Sequence, residues 1–274
     1  MRALSSFALV LALSSLSFYS MANDIVFLGD DVRIKLLASC KACQTQKLTF
    51  ATPHQGANAQ EVANSAQNAR HAVIVVDVSS GPLQITREHI LIARQAEVPS
   101  LSFMFVNMSR LEGMPDAGEL LELEEREVRE LMNKYEMGGD RAMVFHDSTI
   151  RSVKKLSSAG VGMDSVLRAM QRLPERRPVA LSPFSGKKFF AFLYLLTTQE
   201  SKFTVPLTNG SSVGLWINGQ SLRTRVRSKQ TLQPGGTGEL EFEAEKAIVA
   251  PVGSRLLLEQ DGKVIAAGVL MRGS

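Results

Sequence analysis

The chain lacks the residue constellations that mark common hydrolytic, metal or dinucleotide chemistry. Its four histidines, His54, His71, His89 and His146, are scattered without metal-ligand spacing. No Ser-His-acid arrangement, zinc-hydrolase motif or dinucleotide fingerprint is present. Proline is sparse, 10 residues in 274, and with 45% hydrophobic and 21% charged residues the composition excludes a disordered or low-complexity chain. Charge of one sign is also missing: 31 basic residues against 27 acidic ones leave a net +4, well short of a nucleic-acid-binding tail. No apolar run reaches the about 20 residues that a membrane-spanning helix needs.

Cysteine is limited to Cys40 and Cys43, spaced as Cys-Lys-Ala-Cys. A redox pair of this spacing normally opens a helix, whose dipole lowers the thiol pKa. Here the pair follows a short helical stretch, Lys35 to Ser39, so the expected role is that of two small apolar side chains, joined in a local disulfide if the chain is exported. Leu37-Ala38-Ser39-Cys40 imitates a lipoprotein cleavage box, but Asp30, Asp31, Arg33 and Lys35 interrupt the apolar run that such a box must follow.

The N-terminus differs from the rest. Arg2 precedes an uncharged run, Ala3 to Phe18, rich in Leu, Ala and Ser, and small residues around Met21-Ala22 suit signal peptidase. Residues 1–22 are expected to be a signal peptide, placing the protein in the periplasm or outside the cell. A translation start at Met21 would instead leave it cytoplasmic.

Beyond residue 23, strands and helices alternate. Ile25 to Leu28, Leu48 to Phe50, His71 to Asp77, Leu101 to Val106 and Ala142 to Phe145 read as strands, His71 to Asp77 most clearly because it is continuously apolar and β-branched. Glu61 to Arg70, Arg87 to Ala96, Glu119 to Tyr135 and Met163 to Leu173 read as helices. The longest presents Leu120, Leu121, Val128, Leu131, Met132 and Tyr135 on one face and Glu122, Glu125 and Glu130 to solvent. This order predicts a mainly parallel sheet covered on both faces. A charged, proline-bounded stretch, Pro174 to Pro178, predicts a linker. After it, short strand-like runs predict an all-β barrel or sandwich: Phe189 to Leu196, Lys202 to Leu207, Val213 to Ile217, Leu222 to Ser228, Gly238 to Ala244, Arg255 to Glu259 and Val264 to Met271.

Two long segments carry a resemblance. Gly81-Pro-Leu-Gln-Ile-Thr-Arg-Glu-His-Ile-Leu-Ile-Ala-Arg-Gln95 with Val98-Pro99, and Glu119-Leu-Leu-Glu-Leu-Glu-Glu-Arg-Glu-Val-Arg-Glu-Leu131, closely resemble the elongation factor Tu family after its switch II helix and in its acidic helix. Leu232-Gln-Pro-Gly-Gly236 and Glu259 to Leu270 are similar to that family's third domain. The resemblance implies a P-loop GTPase-like α/β domain over residues 23–177 and a β-barrel like the third domain over 178–274, with the family's middle barrel absent.

It also implies a nucleotide site whose ligands have changed. The phosphate loop corresponds to Gly29-Asp-Asp-Val-Arg-Ile34-Lys35-Leu36: Gly29 and Lys35 keep their spacing, whereas Ile34 replaces a glycine, Leu36 the magnesium-binding hydroxyl, and Asp30 and Asp31 bring negative charge. There is no room for a switch I segment. The switch II motif corresponds to Ala51-Thr52-Pro53-His54-Gln55, leaving Gln55 as the one side chain able to orient a water. The guanine-reading Asn-Lys-x-Asp corresponds to Asn107-Met108-Ser109-Arg110, where a cation that accepts no hydrogen bond replaces a carboxylate. Ser148-Thr149-Ile150 keeps the serine of the last motif. The family's Arg-His-Thr-Pro-Phe surface for transfer RNA corresponds to Lys202-Phe203-Thr204-Val205-Pro206, with one basic residue. Elsewhere, Arg223, Arg225 and Arg227 alternate on one strand, able to clamp phosphates or to protect a solvated strand edge. His89 falls in a family-matched helix, where packing accounts for it.

The expectation is a pseudo-GTPase without GTP hydrolysis, with no cofactor, acting as a protein-interaction module. The second reading is a divergent elongation factor that binds GTP or GDP with Mg2+ through the relic positions Gly29, Lys35, Asn107 and Ser148, and associates with tRNA or the ribosome.

Overall fold

The computed structural model describes residues 24–45, 47–151, 158–173 and 183–273. The expected signal segment and the Pro174 to Pro178 linker lie outside them.

The first half is a six-stranded, wholly parallel sheet, ordered β2-β1-β3-β4-β5-β6. Its strands are β1 (Ile25–Gly29), β2 (Phe50–Ala51), β3 (His71–Asp77), β4 (Leu101–Val106), β5 (Val144–His146) and β6 (Gly160–Val161). All seven residues of β3 are buried, as continuous apolarity demands of a strand covered on both faces. On one face lie α2 (Ala59–Ala66), α3 (Gln84–Gln95) and α4 (Ala117–Lys134), packed on Val26, Leu28, Ile74, Val76, Phe103 and Phe105. On the other, α1 (Val32–Ser39) and α5 (Met163–Met170) cover Ile25, Phe27, Val73, Val75, Met104 and Phe145. Asn58 starts α2 with a capping box: its side chain accepts from Glu61 N at 2.9 Å while Glu61 Oε2 accepts from Asn58 N at 2.8 Å.

The second half is a closed antiparallel barrel ordered β10-β7-β12-β11-β8-β9. It comprises β7 (Pro183–Leu195), β8 (Ser212–Ile217), β9 (Gln220–Val226), β10 (Thr237–Pro251), β11 (Arg255–Gln260) and β12 (Lys263–Gly273). Alternate residues such as Phe189, Ala191, Leu193, Leu215, Phe242, Leu256 and Leu258 fill its interior.

Two sequence expectations fail locally. The expected strand Leu48 to Phe50 shrinks to Phe50–Ala51. Lys202 to Leu207 forms no strand: Thr204 N closes a turn on Ser201 O at 3.1 Å, Pro206 has no N–H to give a ladder, and only Leu207 pairs, through an isolated bridge to Leu232. The short strand β6 carried too little pattern to be foreseen.

The two halves share one apolar core. Leu196, Trp216, Leu257, Val264 and Ala267 of the barrel side join the cluster under α2, α3 and α4. Polar contacts fix the register of this joint. Gln95 Nε2 donates to Leu256 O at 2.8 Å and Gly268 O at 3.0 Å, Trp216 Nε1 donates to Asn64 Oδ1 at 2.7 Å, and Glu88 receives Val264 N at 3.0 Å and Lys263 Nζ at 3.1 Å.

Candidate functional site

In an open parallel sheet with helices on both faces, ligands bind outside the carboxyl ends of the strands. Here those ends bring together Gly29 at the end of β1 with Asp30 after it, Asp77 at the end of β3 with Ser79 after it, Asn107 after β4, and Asp147 and Ser148 after β5.

At the position of the phosphate loop the chain turns straight into a helix. Arg33 N donates to Asp30 O at 3.0 Å and Ile34 N to Asp31 O at 3.1 Å, so amides that a phosphate loop aims at its anion close helical turns instead. Arg33, 1% exposed, folds back beneath the turn: Nη1 donates to Gly29 O at 2.9 Å and Asp31 Oδ1 at 2.6 Å, and Nη2 to Pro53 O at 3.1 Å. One guanidinium thus ties the end of β1 to the segment corresponding to switch II.

Gly29 is held for packing. Its φ is +91°, and an added Cβ would stand 2.2 Å from Val75 O on β3. Its N–H donates to His89 Nδ1 of α3 at 2.9 Å, and burial, followed by the Arg33 and Lys263 charges, pushes the imidazole down to about 3. His89 is therefore a neutral acceptor at neutral pH. Lys35 is exposed on α1, and Gln55 is exposed in the loop after β2.

Carboxylates occupy the rest of the strand ends. Asp30, 4% exposed, accepts Asp77 N at 2.8 Å and Thr86 Oγ1 at 3.4 Å, and burial holds its pKa above the ordinary carboxylate value. For Asp77 burial is outweighed: Ser79 Oγ at 2.6 Å, Ser79 N at 2.9 Å, Asn107 Nδ2 at 2.7 Å and the charge of Arg110 together lower its pKa. Asn107, in the left-handed region at φ 62°, donates its backbone N–H to Asp147 Oδ2 at 2.6 Å, and Asp147 Oδ1 accepts Met108 N and Ser148 Oγ, each at 3.2 Å. Arg110 Nη1 reaches Ser79 Oγ at 3.0 Å. Buried Glu124 of α4 faces Asp77 and Asp30; burial first, then the charges of Asp77, Glu127 and Asp30, push its carboxyl up to about 7, and its Oε2 has no hydrogen-bond partner.

The structure thus joins Gly29, Asn107 and Ser148 through side-chain contacts of the protein itself, and leaves Lys35 and Gln55 at the surface. Arg33, Asp77, Glu124 and Asp147 escaped the sequence reading. For Asp77 and Asp147 the available signal was a carboxylate at or just after the end of a buried strand. Among the described residues no group of three or more His, Cys, Asp or Glu side chains is arranged to hold a metal ion.

Cys40 and Cys43 form a disulfide, buried against Leu167, in the turn after α1. Arg223 and Arg225 of β9 and Arg227 just beyond its end are exposed, while Thr224 and Val226 between them are buried, as alternation predicts. The strand is no edge, however: β8 and β10 pair with it on either side, and Arg227 meets Glu243 of β10 in an ion pair with Nε at 2.7 Å. A polar cleft of about 430 Å³ lies beside it, between α2 and the barrel, lined by Gln60, Arg223, Glu245, Glu259 and Asp261.

The family model described as the elongation factor Tu GTP binding domain matches residues 52–198, more than half of the chain. The chain belongs to this family. The matched span begins at Thr52, after Gly29–Leu36, and runs through α5 to just past the end of β7. Family membership and the parallel-sheet-plus-barrel architecture agree with the resemblance carried by Gly81–Gln95 and Glu119–Leu131.

Proposed function

We propose that this member of a translation-factor GTPase family is a pseudo-GTPase: a scaffold that neither holds GTP with magnesium nor hydrolyses it, and that acts through contacts with other proteins. One observation carries the reading. Carboxylates of the protein itself hold amides at the strand ends, Asp30 the Asp77 amide and Asp147 the Asn107 and Met108 amides, and the Arg33 guanidinium donates to Gly29 O, Asp31 and Pro53 O beneath the turn. A triphosphate entering there would have to displace buried carboxylates of its own sign, and Arg110 offers the guanine ring no acceptor. The residues therefore do not fit the nucleotide and metal that the family implies, and no reaction step is assigned to them.

Titration of the purified protein with fluorescent GTP and GDP analogues, with and without magnesium, tests this. No saturable change is expected. Magnesium-dependent binding at micromolar affinity or tighter would overturn the reading in favour of a divergent elongation factor, which should also associate with ribosomes or aminoacyl-tRNA.

We also propose that the protein is exported. The character of residues 1–22 and the Cys40–Cys43 disulfide support this, since disulfides persist in oxidising compartments. Among the described residues no helix is long and apolar enough to cross a membrane.

A further inference from the structure

The polar cleft beside β9 is built around a glycine on the outer face of the barrel. Glu259 of β11, Gly214 of β8 and Arg223 of β9 stand side by side in register across three strands. Gly214 has no side chain, and Glu259 and Gln60 of α2 lean into the room it leaves. A Cβ there would stand 2.4 Å from Glu259 Cγ, 2.7 Å from Glu259 Oε1 and 2.8 Å from Gln60 Nε2. Two more carboxylates come from the ends of strand pairings. Glu245 follows Ala244, the last β10 residue paired with β9, and Asp261 sits at φ 50° in the turn between β11 and β12. All of these line one cleft of about 430 Å³, within the range of small-ligand sites.

The charges of this cleft are not used within the chain. Elsewhere on the barrel Arg227 pairs with Glu243, Arg272 with Glu239, and Lys263 with Glu88 of α3. Among the described residues Arg223, Glu245 and Asp261 stand in no ion pair, and Glu259 Oε2 is enclosed without a hydrogen-bond partner. Burial, the largest influence on the Glu259 carboxyl, raises it above the ordinary value; the Gln60 backbone N–H and the Arg223 charge pull it down without prevailing. A carboxylate and a guanidinium thus face one cavity and leave their ion-pairing capacity open.

We propose that the cleft binds a lysine or arginine with a free α-carboxylate, either the amino acid itself or the last residue of a peptide. Arg223 offers the forked donors that a carboxylate accepts. Glu245, Glu259 and Asp261 outnumber that one guanidinium, so the ligand must also bring positive charge. A phosphate or other plain anion would meet three groups of its own sign. A polyamine would leave Arg223 without a partner. The cleft lies between α2 and the barrel, away from the strand ends, so its test is independent of whether the first domain binds nucleotide.

Isothermal titration calorimetry of the full chain with L-arginine and with L-lysine should give saturable binding that weakens as salt is raised. Nα-acetyl-L-arginine separates the two sources: affinity within tenfold of L-arginine assigns the cleft to a peptide C-terminus, and a larger loss assigns it to the free amino acid. Agmatine, which lacks the carboxylate, should bind about tenfold more weakly or worse and be indifferent to Arg223→Ala. Arg223→Ala and Glu245→Gln change exposed side chains, and an unchanged melting midpoint shows each variant folded. Each should weaken L-arginine about tenfold or more. No saturable binding of either amino acid up to about 10 mM, or binding that both variants leave unchanged, would overturn the proposal.

Discussion

Glu124 adds a buried carboxyl to the cluster of carboxylates at the strand ends. It projects from α4 toward Asp77 and Asp30, so its ionisation places a third negative charge among buried carboxylates. Its folded pKa of about 7 lies above the ordinary value of 4.5. A carboxyl raised in this way stabilises fully only below the unfolded pKa, and that contribution is lost as pH rises from 4.5 towards 7. Glu124→Gln should therefore leave stability at pH 4 nearly unchanged and raise it at pH 8 by about 1 kcal/mol. Denaturant unfolding at the two pH values checks this, and a variant equally or less stable at pH 8 would remove Glu124 from the account. Such a residue is hard to read in sequence. Glu122, Glu125 and Glu130 look the same on paper, and only the helix rotation set by Leu121, Val128 and Leu131 turns Glu124 inward. Asp77 is similar: the strand was plain from its apolar run, but its final carboxylate acquires meaning only when β4 and β5 bring Asn107 and Asp147 alongside. Gly29 and Ser148 were singled out through the resemblance, and each makes a hydrogen bond within the protein, Gly29 N to His89 and Ser148 Oγ to Asp147.

At the scale of elements, periodicity sufficed where burial was continuous or strongly one-sided. β3, β4 and α4 lie where the sequence placed them to within a residue or two, because a parallel sheet leaves no choice of face. Short or weakly patterned pieces were misplaced or missed: β2 shrinks to two residues, β6 of two residues was not foreseen, and the Lys202 to Pro206 stretch has strand composition but forms no strand. The beginning of α1 was the consequential surprise. The helix was read from Lys35, but it starts at Val32, and those three residues are what convert a loop into a helical turn. Its other end carries the cysteine pair, where a two-residue span between thiols stabilises by restricting little chain, about 2 kcal/mol at most. The pair is thus better read as a marker of compartment than as the main brace of the fold. Protein recovered from a periplasmic extract should begin at Asn23 and take up no thiol reagent until reduced. Cytosolic protein with a start at Met21 and two alkylatable thiols would overturn export.

The whole molecule is held by a joint that the sequence did not disclose. The sequence was read as two domains, but nothing in Gln95 indicated that its amide would enter the barrel and bind two carbonyls. Gln95→Ala leaves Leu256 O and Gly268 O in a buried joint with one fewer donor, and should cost about 2 kcal/mol. Calorimetry should find one transition in the wild type, and in the variant a lower midpoint or two resolved transitions. An unchanged midpoint would show that the apolar contacts of Trp216, Leu257 and Val264 suffice alone. With Gln95, Trp216 and Glu88 all engaged across the joint, the peptide connection between the halves is the lesser of two ties. A gene broken between the codons for α5 and β7 would still specify, from two products, the parts of one particle.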